Sequence, residues 1–123
     1  GLATDFGVAY WLPRIVGAAR AFDILYDGRP YEAHEALALG LVNRVVPDAA
    51  LREEALAYAA KIAAGAPMAM TATRRLVIDS LDGTNAGVAA SEWQAQWAML
   101  QSEDGREGFQ AFLEKRPPEF KGR

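Results

Sequence analysis

Apolar side chains recur at helical spacing along most of this chain. They return every three or four residues, the period that places them on one face of an α-helix. The clearest runs are Leu12, Ile15, Val16, Ala19 and Phe22, then Ala55, Tyr58, Ala59 and Ile62, then Trp93, Trp97 and Leu100, and finally Phe109, Phe112 and Leu113. The sequence therefore predicts a mainly α-helical chain.

Capping residues mark where several of these helices begin and end. The sequence Asp27-Gly28-Arg29-Pro30 is typical of a turn, because glycine supplies a positive φ and proline fixes the next one. Pro67 suits the first turn of a helix, and Ser102 followed by two acids is typical of a helix N-terminus. We expect Gly40 to end the helix that starts near Tyr31.

One segment has the pattern of a β-strand. Residues Leu41–Val46 are rich in β-branched side chains, follow Gly40 and end at Pro47. A single strand leaves its backbone N–H and C=O groups without ladder partners, which is costly when they are buried. We therefore expect this strand to pair with a segment that these helices do not supply.

Composition narrows the class of protein. The 123 residues are 51% hydrophobic and 24% charged, which suits one soluble domain with a modest core. A net charge of −3 argues against a general nucleic-acid binder, since binding a phosphate backbone requires a basic face. No apolar run reaches the length of about 18 residues that a membrane span needs. The chain has no cysteine, which fits a reducing compartment, so we expect a cytoplasmic protein.

The end of the chain is unusual in charge and in aromatic content. Residues Lys115–Arg123 hold four basic side chains and one acidic one, which suits either an anion-binding segment or a frayed, solvated terminus. The aromatic residues are either an internal helical core or a surface buried against another subunit. They are Trp93, Trp97, Phe109, Phe112 and Phe120.

Three stretches together resemble a known family. They are GLATDFGVAYWLPRIVG, AFDILYDGRPYEAHEALALGLVNRVVP and SEDGREGFQAFLEKRPPEFKGR, which with the two helices between them cover nearly the whole chain. In order and wording they resemble the C-terminal half of the enoyl-CoA hydratase/isomerase (crotonase) family. The resemblance implies the helical part of a crotonase-like α/β fold, built on a ββα spiral. Residues 1–47 would end the core, and residues 48–123 would form a C-terminal trimerisation region.

The resemblance also implies a function that this chain does not complete alone. Complete hydratases of the family add water to a trans-2-enoyl-CoA, a reaction of fatty acid β-oxidation, and give a 3-hydroxyacyl-CoA. An oxyanion hole of two backbone amides and two glutamates carry the chemistry, and by the resemblance all of them precede Gly1. We therefore expect a missing N-terminal half, a homo-oligomer (trimer or hexamer) and an acyl-CoA substrate. No metal or redox cofactor is implied, since coenzyme A enters as part of the substrate.

Two other functions stay open. The sequence around Asp5 is similar to that of dienoyl-CoA isomerases, in which an aspartate of this loop moves a proton. Aryl-CoA dehalogenases of the family have a nucleophilic aspartate at this position. Many ordinary hydratases also carry this aspartate, and there its side chain can hold the loop in an Asx-type turn. The third possibility is an isolated, non-catalytic module for oligomerisation and for shielding coenzyme A.

The resemblance names two substrate-binding residues near the end of the chain. In the family's trimers, an aromatic residue and a lysine of the last helix reach the coenzyme A bound by a neighbouring subunit. The matching positions are Phe112 and Lys115, with Phe120 and Lys121 as weaker candidates. From the residues alone, Phe112 suits a core position equally well, and Lys115 suits a solvated one. His34 is the only histidine and has no nitrogen or sulfur ligand beside it, so no metal site is predicted.

Overall fold

The computed structural model describes residues 1–123 and consists of helices joined by short turns. The helices are α1 (Val8–Val16), α2 (Ala18–Asp27), α3 (Ala33–Ala38), α4 (Leu51–Ala63), α5 (Pro67–Ser80), α6 (Asn85–Gln101) and α7 (Glu103–Glu114). A 3-10 turn at Asp48–Ala50 precedes α4. The chain divides into two compact units, Gly1–Leu51 and Arg52–Arg123. The prediction of a mainly α-helical chain is confirmed.

In the first unit, α1 packs against α2. Gly17 joins the two helices at a φ of 82°, a conformation that favours glycine. Leu12 of α1 and Ala21 of α2 are the buried apolar residues of this unit. The first unit therefore has a helical hairpin with very little core of its own.

Arg29 organises the predicted turn after α2. Gly28 ends α2 at a φ of 61°, and the Arg29 guanidinium then donates two hydrogen bonds to the Glu35 carboxylate, at 3.1 and 2.8 Å. The same group lies 3.0 Å from an Asp27 oxygen and 4.0 Å from the centre of the Tyr31 ring. The hydrogen bonds from Arg29 lower the pKa of Glu35 to about 2. The turn predicted at residues 27–30 is confirmed.

The prediction of a strand at Leu41–Val46 is wrong for this structure. Gly40 ends α3 at a φ of 75°, and the Leu41 N–H donates to the Ala36 carbonyl at 2.9 Å, as at many helix C-termini. The residues that follow form no ladder hydrogen bonds. β-branched composition favours an extended backbone, but a strand exists only when another strand pairs with it, and no segment of these 123 residues does so.

In the second unit, α5 packs against α6, and α6 packs against α7. Pro67 is the first residue of α5, as predicted. Ser102 ends α6 and begins α7: its hydroxyl donates to the Met99 carbonyl at 2.7 Å and accepts from the Gly105 N–H at 2.9 Å. The predicted cap at Ser102 is therefore confirmed, and it forms a junction without a loop between two long helices.

Replacing Gly105 by alanine is expected to destabilise this junction by about 2 to 4 kcal/mol. A Cβ at Gly105 would overlap the backbone carbonyl of Met99, which cannot move without breaking the Ser102 cap. Thermal unfolding of the protein measures the loss. Gly108→Ala is the matched control on the same helix, since its Cβ would make only ordinary contact with the Phe120 ring at 3.6 Å. That variant should be neutral or more stable, by up to about 1 kcal/mol; equal losses for both variants would contradict the explanation.

Most large apolar side chains lie exposed. The chain has an accessible surface of 10003 Å², whereas two separate compact globules of these lengths would expose roughly 7,800 Å². The buried apolar residues are Leu12, Ala21 and Ala111 only. Trp93 and Trp97 stack with ring centres 6.3 Å apart, yet they are 66% and 56% exposed. An internal core is therefore the wrong explanation for Trp93, Trp97, Phe109 and Phe112, whereas Phe120 is half-buried near Gly108 of α7. The helices present apolar faces that the chain does not cover.

Candidate functional site

Asp5 lies in the loop that leads into α1. Its backbone carbonyl accepts a hydrogen bond from the Val8 N–H at 3.0 Å, while its exposed carboxylate forms no hydrogen bond and no ion pair. Phe6 and Gly7, at φ values of 51° and 78°, turn the chain into the helix. The backbone makes this turn without an Asx-type bond from the Asp5 side chain, which leaves the carboxylate uncommitted.

An apolar cavity of about 380 Å³ adjoins this loop. Thr4, the neighbour of Asp5, lines it together with Ala9 of α1 and the side chains of Phe22 and Tyr26 of α2. A cavity with this lining suits hydrocarbon better than a charged group. The residue that precedes Asp5 thus lines an apolar space, and Asp5 itself is not among the lining residues.

Phe112 and Lys115 lie one helical turn apart at the end of α7. The Phe112 side chain is 81% exposed and continues an apolar stripe through Phe109 and Leu113. It is not a core residue of this chain. Lys115 follows the last residue of the helix, is exposed and forms no ion pair. An aromatic face and an uncommitted positive charge are therefore presented side by side along the backbone.

Lys115 adopts a backbone conformation that usually belongs to glycine. Its φ and ψ are 55° and 38°, in the left-handed region. The Arg116 N–H donates to the Ala111 carbonyl at 3.1 Å, and the Lys115 N–H donates to the Phe112 carbonyl at 3.3 Å. These two bonds form a Schellman motif, which ends the helix and reverses the chain direction. A lysine in the glycine position of this motif is a local strain that the surrounding contacts must hold.

The residues after Lys115, which we call the tail (residues 116–123), return along α7. The Arg116 guanidinium binds the Glu107 carboxylate through two hydrogen bonds of 2.5 and 2.9 Å, and it also binds Glu114 at 2.6 Å. The Glu119 N–H donates to the same Glu107 carboxylate at 2.8 Å. The tail is therefore docked on the helix, and the expectation of a frayed terminus is not met.

These contacts hold Glu107 in its ionised form. The bond from Arg116, followed by that from the Glu119 backbone, lowers the pKa of Glu107 from 4.5 to about 2. Because the folded-state pKa lies below the ordinary value, this contribution to stability is complete above about pH 4.5 and is lost as the pH falls towards 2. The tail is thus held throughout the neutral range.

Asp104 binds the far end of the tail. Its side chain is among the few buried ones, at 4% exposure. One oxygen accepts the Lys121 N–H at 2.6 Å, and the other accepts the Gly122 N–H at 2.8 Å. In return, the Asp104 N–H donates to the Arg123 carbonyl at 3.0 Å. We call the contacts of Asp104 and Glu107 with the tail the clasp.

Carboxylates of α7 pair with both guanidinium groups of the tail. Arg116 is bound to two carboxylates, and Arg123 lies 3.0 Å from an oxygen of Glu103. Lys115 and Lys121 form no ion pair.

The structure brings two of the three predicted site residues together and leaves the third in the other unit. Phe112 and Lys115 share the end of α7, and Asp5 belongs to residues 1–51. No group of three histidine, cysteine, aspartate or glutamate side chains is placed to hold a metal ion. No helix is both long enough and apolar enough to cross a membrane.

The family model described as enoyl-CoA hydratase/isomerase matches residues 1–123, the whole chain. The chain belongs to this family. A probable enoyl-CoA hydratase of Rhodobacter capsulatus is 41% identical over 123 residues, which are 100% of this chain and 48% of that protein. The (E)-benzylidenesuccinyl-CoA hydratase of Thauera aromatica is 40% identical over 113 residues, covering 90% of this chain and 43% of that protein.

Solved structures of family members have the same fold over this chain. An enoyl-CoA hydratase from Bacillus anthracis matches with a TM-score of 0.90 at 37% identity, over 95% of this chain and 45% of that chain. An enoyl-CoA hydratase from Polaromonas matches with a TM-score of 0.93 at 32% identity, over 98% of this chain and 47% of that chain. The chain spans about half the length of the family relatives it matches. The predicted helical part of a crotonase-like fold is thereby confirmed.

Proposed function

We propose that this chain acts as the C-terminal half of a complete subunit that hydrates a trans-2-enoyl-CoA to a 3-hydroxyacyl-CoA. By complete subunit we mean these residues joined to an N-terminal segment like the other half of the relatives. The match of the whole chain to the family supports the proposal, as do relatives named enoyl-CoA hydratases. In this proposal the substrate brings coenzyme A with it, and no metal or redox cofactor takes part.

The N-terminal segment would carry out the bond-making steps. One glutamate removes a proton from a water molecule while the water oxygen adds to C3 of the enoyl group. A second glutamate supplies the proton that C2 receives. Two backbone amides stabilise the negative charge that develops on the thioester oxygen. This division explains why none of these groups is assigned to a residue of the present chain.

The observation that supports a role for this chain in binding is that Phe112 and Lys115 lie one helical turn apart at the end of α7. The exposed ring offers an apolar face to the adenine or the acyl chain, and the unpaired ammonium suits a phosphate. In this proposal the two residues contact the coenzyme A of a neighbouring subunit in a trimer or hexamer. The exposed stripe of Phe109, Phe112 and Leu113 supports burial against such a neighbour.

Replacing Lys115 by alanine in the complete subunit is expected to raise KM for crotonyl-CoA about tenfold. KM for crotonyl-pantetheine should stay unchanged, because that thioester lacks the phosphorylated nucleotide. Steady-state rates with both thioesters measure the difference. Lys61→Ala is the matched control, since it removes the same charge from the exposed α4. Equal changes for both thioesters, or none, would count against the proposed role of Lys115.

A second candidate function is supported by the state of Asp5. A carboxylate without a partner, in a loop whose preceding residue Thr4 lines an apolar cavity, suits proton transfer along a conjugated acyl chain, as in the dienoyl-CoA isomerases that this loop resembles. In that function Asp5 would act together with a glutamate of the N-terminal segment. The two candidate functions differ in what they require of Asp5, and a single substitution at this position separates them.

A further inference from the structure

We propose that Asp104 is a positioning residue for coenzyme A binding: with Glu107 it clasps the tail and so fixes the backbone from which Lys115 presents its ammonium group. The inference rests on the proposed role of Lys115 in the complete subunit. It assigns a function to a buried carboxylate that touches no part of the ligand itself.

The backbone conformation of Lys115 needs support from the chain on both sides. An L-residue seldom adopts a φ of 55°, so a lysine stays there only when the chain on both sides is fixed. Helix α7 fixes the preceding side. On the following side, residues 117–123 form no regular secondary structure, so only contacts with the rest of the chain can fix them.

The clasp supplies those contacts at two points. Glu107 holds Arg116 and the Glu119 backbone, the part of the tail that is close to Lys115 in sequence. Asp104 lies three residues before Glu107, just under one helical turn, and holds the backbones of Lys121 and Gly122. The two anchors hold the beginning and the end of the tail, and together they fix the direction in which the chain leaves Lys115.

The clasp also affects the charges beside Lys115. Arg116 is the other strong cation there, and it is bound to Glu107 of the clasp and to the nearby Glu114. The clasp therefore does two things at once: it neutralises the competing cation and leaves the Lys115 ammonium unpaired. A cation whose backbone is already in the bound conformation loses less conformational entropy on binding, which favours affinity.

The experiment uses Asp104→Asn in the complete subunit, which keeps the shape of the side chain and one of its two acceptor oxygens. We expect KM for crotonyl-CoA to rise about threefold to tenfold and never beyond the rise in Lys115→Ala, because Asp104 acts through that residue. KM for crotonyl-pantetheine and kcat for both thioesters should stay unchanged, whereas a general folding defect would lower kcat for both. Glu103→Gln is the matched control. It removes the charge of the neighbouring acid, whose exposed ion pair with Arg123 contributes little to stability.

A second pair of variants tests the tail without altering α7. Lys121→Pro removes the N–H that Asp104 accepts, whereas Lys121→Ala removes the same side chain and keeps that N–H. Both variants lose the Lys121 ammonium group, so any part that this charge plays in binding is common to the two. We expect KM for Lys121→Pro to exceed KM for Lys121→Ala by the factor seen for Asp104→Asn over the unaltered subunit. This comparison also decides the matter if Asp104→Asn does not fold.

The double variant Asp104→Asn/Lys115→Ala should have the KM of Lys115→Ala alone, since both changes remove one interaction. Additive effects would overturn the inference. So would a normal KM in Asp104→Asn together with equal KM values for Lys121→Pro and Lys121→Ala while Lys115→Ala is impaired. If instead Lys115→Ala itself is normal in a subunit that hydrates crotonyl-CoA, the proposed role of Lys115 fails first, and the inference fails with it.

Discussion

The 123-residue chain on its own is expected to hydrate crotonyl-CoA at no measurable rate. The proposed glutamates and oxyanion hole belong to a segment outside these residues, and general acid–base catalysis with oxyanion stabilisation accounts for most of such a rate enhancement. The loss should therefore be at least about 10⁴-fold relative to the complete subunit. The ultraviolet absorbance of the conjugated thioester, which disappears on hydration, measures the rate.

The complete subunit, assayed at the same concentration, is the positive control. Turnover by the isolated chain that persists after repurification would contradict the division of labour between the two halves. An inactive chain that assembles into a defined oligomer would instead support the third possibility, a module for oligomerisation and for shielding coenzyme A. The exposed aromatic residues of α6 and α7 give that outcome a physical basis.

Helix boundaries could be predicted from the sequence where one residue type carries the whole signal. Pro67 begins α5 because proline has no N–H to lose in a first turn, and Ser102 caps α7 because its hydroxyl accepts a free amide there. The strand at Leu41–Val46 failed for the opposite reason. The pattern of Leu41–Val46 reflects only the side chains of that segment, whereas a strand also needs a second strand to pair with. These residues contain no such second strand.

The candidate site could be predicted only in part, for a related reason. The resemblance pointed to Phe112 and Lys115, and the structure shows both of them exposed at the end of α7. The contacts of Asp104 with the tail could not be predicted, since its partners are backbone amides 17 and 18 residues further along, and every residue except proline carries such an N–H. The left-handed conformation of Lys115 could not be predicted either, because the residue at that position of a helix C-terminus is usually glycine or asparagine.

The two candidate reactions differ in whether they need the free carboxylate of Asp5. In hydration, the two glutamates of the N-terminal segment complete the proton transfers, so a third acid is not needed. In dienoyl isomerisation, Asp5 is one of the two groups that move the proton. Because the Asp5 side chain forms no hydrogen bond here, an isosteric amide in its place should not disturb the loop.

Asp5→Asn in the complete subunit is therefore expected to keep hydration of crotonyl-CoA within about threefold of the unaltered rate. If the subunit also isomerises a dienoyl-CoA, that activity should fall by about 10² to 10⁴, the usual contribution of a general acid or base. Asp23→Asn, the same change on an exposed residue of α2, should affect neither reaction. A loss of hydration on the order of 10² in Asp5→Asn, with thermal unfolding unchanged, would contradict the proposed hydratase mechanism and would place Asp5 among the proton-transferring groups.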